Sequence, residues 1–192
     1  MVVSTDKLST ITKLYSGAHN PDGEMCVMEA VAFVAGEKWS DKPDCACPVL
    51  ASFARIMNDF ITDDALRTRL LLPLVSVLVG SKSTQEVEQK RAALLARWAV
   101  RVIAPIALRA AKLDTEADKL AALPEDVDLP VANAAANAPY AAAYAANAAA
   151  YAANAAANAA AYAAANAANA AANAKVWVLS ADILRKAAEI KS

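Results

Sequence analysis

The sequence predicts an all-α protein, and three observations predict it. Between Ala132 and Ala174 lie 30 Ala, 8 Asn, 4 Tyr and one Pro, with no charge. The Asn and Tyr positions in that stretch recur about every 3.6 residues, the α-helical repeat. The rest of the chain shows apolar residues at three- and four-residue spacing, with no alternating strand pattern and no hairpin signal. The organisation expected is a helical bundle over 1–128 and an Ala/Asn/Tyr-rich long helix plus closing helix over 129–192. The second part packs on the bundle or extends from it, within one structural domain.

The elements follow in order. Leu8, Ile11, Leu14 and Tyr15 share one helical face, so a first helix is expected over 6–16 with Gly17 as its stop. Gly17 to Gly23 is a turn-rich loop holding the chain's single histidine, His19. From Met25 to Ala35 every residue except Glu29 is apolar, which predicts a helix buried on all sides. Glu29 is thereby placed in the centre of the fold. A loop from Gly36 to Cys47 follows, and Pro48 suits the first turn of a third helix. Val49, Leu50, Phe53, Ile56, Met57 and Phe60 should face inward there. Asp63 or Asp64 caps a fourth helix, which Pro73 should kink or divide before Gly80.

Ser83-Thr-Gln-Glu86 has the capping-box pattern. It should open a long helix with Val87, Leu94, Leu95, Trp98, Val102 and Ile106 on its core face and a kink at Pro105. Thr115 to Leu123 reads as a short amphipathic helix, and Pro124 to Pro130 as a linker. A short helix near 130–137 and a long one from about 139 to at least 174 come next. Thirty-six residues of helix make a rod roughly 54 Å long. Its stripe includes Asn133, Asn137, Tyr140, Tyr144, Asn147, Tyr151, Asn154, Asn158 and Tyr162, with alanine elsewhere. Trp177, Leu179, Ile183, Leu184, Ala187 and Ile190 give a closing helix that docks back.

Composition narrows the functional classes. The 192 residues carry a net charge of −1, which gives no electrostatic case for nucleic acid. No run of 18 strongly apolar residues exists, and the Asn-rich stretch is a poor membrane span. Met1 to Gly17 lacks a basic start followed by an apolar core, so no secretory leader is expected. Three clustered cysteines argue for a reducing cytoplasm.

Two constellations could carry chemistry. Cys26 and Glu29 share a helix face, the helix N-terminus would favour a thiolate at Cys26, and His19 could lie across the loop. With Asp41, these form a candidate pocket for a small enzyme or ligand-binding protein. The bland alternative is a buried cysteine with Glu29 paired to an arginine or bonded to backbone amides. Cys26, Cys45, Cys47 and His19 could instead close a tetrahedral zinc site, although Cys-x-Cys is a tight bite. Otherwise they are reduced structural thiols and no cofactor is needed. Ser40-Asp41 and Asn58-Asp59 read as caps and turn formers, and Trp39 as an anchoring indole on a solvated loop edge. Lys90, Arg91, Arg97, Arg101 and Arg109 share parts of one helix, as a solvated face or a receptor for Glu29.

Residues Gly23-Glu-Met-Cys-Val-Met-Glu-Ala30, Gly36-Glu37, Ser40-Asp-Lys-Pro43, Cys45 and Cys47-Pro-Val49 together resemble a family of uncharacterised actinobacterial and bacteriophage proteins. The resemblance extends through Asn58-Asp59, Leu72-Pro73 and Val79-Gly80, covering roughly residues 17–110. Alanine-rich C-terminal regions occur in that family, usually with charges in the stripe, and this uncharged stripe departs from it. The resemblance implies no activity, and it concentrates attention on residues 19–59. The functional expectation is a non-catalytic interaction protein with a protein partner or further copies of itself. Tyr140, Tyr144, Tyr151, Tyr162, Asn147, Asn154 and Asn158 are its candidate contact residues, with the 36–47 loop as the alternative.

Overall fold

A computed structural model describes residues 3–17, 19–21, 23–110, 114–126 and 174–191. The described chain is all-α: α1 (Thr5–Thr10), α2 (Val27–Ala35), α3 (Pro48–Phe60), α4 (Asp64–Leu78), α5 (Gln85–Trp98), a π-helical turn (Ala99–Ile103), α6 (Ala104–Ala110), α7 (Asp114–Ala121) and α8 (Ala174–Ala188). The long alanine-rich helix and its stripe of Asn and Tyr lie outside the described residues, as does the expected boundary at 128.

The core forms around α2. Val27, Met28, Ala30, Val31 and Ala32 are fully buried, as the apolar run requires. Burying each of the larger side chains contributes about 1.5–3 kcal/mol. α2 packs on α1, α3 and α4, and α8 packs on α3, α4 and α5. The closing helix therefore docks back as expected, burying Val176, Trp177, Ile183, Leu184 and Ala187. Its docking makes the C-terminus part of the same core as α2–α5.

Local chemistry explains where each helix begins and ends. α1 is shorter than expected, stopping at Thr10. Beyond it Leu14 N–H donates to Thr68 Oγ1 (3.0 Å) and Tyr15 N–H to the Met25 carbonyl (2.9 Å). These tertiary partners replace the intrahelical bonds that periodicity alone suggested for 11–16. α2 ends at Gly36, whose φ of 73° is left-handed and favours glycine. Lys7 reaches from α1 to that end of α2, donating to the Phe33 carbonyl at 2.9 Å. Its charge meets the negative pole of the helix there.

Pro48 occupies the first turn of α3 as expected. Asp63 caps α4 by accepting from Leu66 N–H at 2.9 Å. Pro73 does not divide α4, which continues to Leu78. Pro73 and Arg69, the residue whose carbonyl loses its bond, are both on the solvent side, where water can serve that carbonyl. The cap of α5 is Thr84, one residue later than the capping-box pattern placed it. Where a kink is expected at Pro105, a π-helical turn stands just before the proline.

Candidate functional site

Glu29 is 1% exposed, so its carboxylate needs partners inside the protein. Among the described residues its hydrogen-bond partners are His19 and Cys26, with no arginine. Oε1 accepts from His19 N–H at 2.6 Å, and Oε2 accepts from Cys26 N–H at 2.7 Å. His19 Nδ1 lies 3.1 Å from Oε2. Cys26 is the N-cap of α2, and its Sγ accepts from Glu29 N–H at 3.5 Å. The pair forms a capping box in which cysteine stands where serine or threonine is usual.

His19 is itself held from three more directions. Trp39 Nε1–H donates to its carbonyl at 2.7 Å. The Tyr15 ring meets the imidazole edge-on at 6.0 Å, and Glu24 Oε2 lies 3.9 Å from Nε2. Trp39 is thus the expected anchor, and it joins the loop after α2 to the loop before it. Glu37, partly exposed, also ties the loop: its carboxylate accepts from Asp44 N–H (2.7 Å) and Cys45 N–H (2.9 Å).

Electrostatics follow from these contacts. Burial pushes the Cys26 thiol up to about 12, the nearby Glu29 charge adds to that, and the amides of Glu29 and Met28 only partly oppose it. Desolvation thus opposes, and outweighs, the pull of the helix N-terminus towards a thiolate. Burial also pushes Glu29 upward, but the amides of His19 and Cys26 and the His19 ring win and hold it below the ordinary carboxylate value. Burial raises the Cys45 thiol as well.

His19, Cys26 and Glu29 are therefore brought together, in an arrangement whose bonds go mainly to backbone. Asp41 is held elsewhere, its carbonyl accepting from Arg55 Nη1 at 2.9 Å. The four expected zinc ligands are not gathered. Among the described residues no three His, Cys, Asp or Glu side chains group as a metal ion would require. All three cysteines are buried free thiols. Cys45 and Cys47 instead stitch the turn after α4, through Lys82 N–H to the Cys45 carbonyl (2.9 Å) and Cys47 N–H to Ser81 Oγ (2.9 Å).

Asn58 and Asp59 do act on turns. Asn58 is fully buried; its Oδ1 accepts from Val27 N–H (3.1 Å) and its Nδ2 donates to the Tyr15 carbonyl (2.8 Å). Asp59 Oδ1 accepts from Gly17 N–H at 2.9 Å.

The sequence does not single out Arg67, and Arg91 is expected on a solvated face or as a receptor for Glu29. Arg67, 2% exposed, donates to the carbonyls of Asn58 (2.7 Å), Ile61 and Leu14 and pairs with Asp64. Arg91 is 3% exposed, not part of a solvated face. It donates to the carbonyls of Ser81, Ala187, Ala188 and Ile190. The signal for both was an arginine at a core register of its helix. That pattern marks burial without naming a partner. Lys90 pairs with Glu86 and Arg109 with Asp118, at the surface as expected. Comparison with family models, with curated proteins and with solved structures returns no match for this chain.

Proposed function

We propose that this chain is a non-catalytic helical protein that acts by binding a protein partner or further copies of itself, as an accessory factor of bacterial or bacteriophage origin working in the cytoplasm. One observation carries the reading. The acidic side chain at the centre, Glu29, spends both oxygens on main-chain amides and one of them also on His19. A carboxylate so engaged is suited to holding a loop against a helix, and a protonated Cys26 beside it is a weak nucleophile. The residues that resemble the actinobacterial and bacteriophage family serve the same end here. Glu29, Gly36, Glu37, Asn58 and Asp59 set backbone geometry. Binding is assigned to the uncharged Asn/Tyr stripe, which lies outside the described residues and is inferred from sequence spacing alone. Among the described residues no helix is long and apolar enough to cross a membrane.

Sedimentation velocity and chemical crosslinking of the full chain test the reading. A complex lost on replacing Tyr144, Tyr151 and Tyr162 with Ala, yet kept by Cys26→Ala, is the expected result. A complex that survives the triple replacement overturns it. The second reading is a small enzyme or ligand-binding protein, favoured by the convergence of His19, Cys26 and Glu29. It requires a Cys26 that alkylates fast at neutral pH and slows in Glu29→Gln.

A further inference from the structure

Two kinds of side chain tie the loops to the helices, and they respond differently to acid. Carboxylates hold the loops on both sides of α2. Asp59 holds Gly17, Glu29 holds His19 and Cys26, and Glu37 holds Asp44 and Cys45, each through backbone N–H groups. Guanidinium groups hold the helices elsewhere. Arg67 binds the carbonyls of Asn58, Leu14 and Ile61; Arg91 binds those of Ser81, Ala187, Ala188 and Ile190. Arginine stays charged and a carbonyl does not titrate. A carboxylate that takes a proton loses the charge that made it a strong acceptor.

We propose that Glu29 is an acid-released latch: its protonation frees His19, with the Trp39 tether, from the N-terminus of α2 while the arginine-clamped helices stay folded. Glu29 is the buried member of the carboxylate set, joining two separate backbone segments through amides at 2.6 and 2.7 Å. Its oxygens have no water to fall back on. The titratable groups facing it are His19 and Cys26. Glu24 and the Tyr15 ring bear on it through His19, and Lys13 Nζ sits 4.4 Å from the centre of that ring. From α3, Asp59 holds Gly17; from α4, Arg67 and Asp64 pair with each other; from α1, Lys7 meets the opposite end of α2.

The sign follows from linkage. Glu29 is held below its ordinary value of 4.5, so its stabilisation is complete above that value. It is lost as pH falls through the lower folded value. Release therefore belongs to the acid side of the ordinary carboxylate range.

Amide hydrogen exchange by NMR on the full chain, corrected for the intrinsic pH dependence, tests this between about pH 6 and 2.5. The His19 and Cys26 amides and the Trp39 indole should lose at least about tenfold protection at a pH where Leu71, Val75 and Leu184 keep theirs. A tenfold loss corresponds to about 1.4 kcal/mol of local opening. Simultaneous loss in all of them, or a latch that outlasts α4 and α8, overturns the proposal. Glu29→Gln should show the same local loss already at neutral pH, and full protection in it would also overturn the proposal. Trp39→Phe removes the His19 tether without touching the carboxylate and should move release to higher pH. It keeps the test decisive should the Glu29 variant fail to fold, because an unmoved release pH argues against the latch.

Discussion

Replacing Arg91 with Met should loosen the C-terminal helix from the body. Arg91 reaches carbonyls up to 99 residues further along the chain. It therefore bridges α5 to the end of α8 across a segment whose closure costs entropy. Its four acceptors are not equivalent. Ser81 is a buried residue, so its carbonyl is stranded when the guanidinium goes, whereas the Ala187 carbonyl keeps the Ile190 N–H at 3.3 Å. Ala188 and Ile190 are half-exposed and can turn to water. One stranded acceptor at about 1–3 kcal/mol, with about 1 kcal/mol for each of the three other bonds lost, gives about 4–6 kcal/mol. The methionine stem keeps the packing and spares the burial of a charge, which returns part of that cost. The net expectation is about 3 kcal/mol. In a domain of this length that lowers Tm by about 6–12 °C. Urea unfolding followed by circular dichroism and tryptophan emission measures it, and Arg91→Lys, one donor group in place of a fork, should fall between. A Met variant within about 1 kcal/mol of the parent would refute the clamp.

Asn58→Ala removes the acceptor for Val27 N–H and the donor to Tyr15, and should cost about 2–4 kcal/mol by the same unfolding assay. Gly36→Ala should cost about 1 kcal/mol from backbone conformation alone, since the added methyl meets only Lys7 Nζ at 3.8 Å. Timed alkylation with mass-spectrometric readout should find Cys26 sluggish at neutral pH and faster only as pH climbs towards about 12, and a Cys26 that reacts like a free thiol at pH 7 would contradict its burial. Cys26→Ser should remain folded within about 1 kcal/mol, because serine restores the commoner cap while burying a hydroxyl.

Much of the fold was legible because its signals are local or periodic. The wholly apolar run around Glu29 required a buried helix, and Met28 and Val31 are fully buried in it. Pro48 at a helix start and Gly36 at a helix end carry their own stereochemistry. The misreadings came where tertiary contacts displaced local rules. Ile11 to Tyr15 has helical spacing, yet Leu14 and Tyr15 give their N–H groups to Thr68 and Met25. Thr84 displaced Ser83 as cap, its hydroxyl accepting from Val87 N–H at 3.4 Å with no Glu or Gln three residues on to complete a box. The burial of Glu29 could be read, but not its partners, since His19 and Trp39 come from loops on either side of α2. Arg67 and Arg91 look like surface residues until the carbonyls of distant segments are placed around them.

The chemistry at Cys26 turns on which of two opposing fields is larger. A helix N-terminus draws a thiol towards ionisation, typically by less than about 1 kcal/mol at an exposed site. Removing a charge from water costs several kcal/mol even after relaxation. At Cys26, 2% exposed, the second effect dominates, and Glu29 already occupies the positive end of the helix with a negative charge. A second anion there would be repelled by the first. Burial therefore keeps the thiol protonated, and the carboxylate that makes the cluster look catalytic in sequence adds to it. The same contact fixes His19 and, through Trp39, couples the loops on both sides of α2. Chemistry-bearing residues can thus be concentrated in one short stretch because its backbone has unusual bonding needs. Here a buried helix start with two loops crossing it supplies those needs.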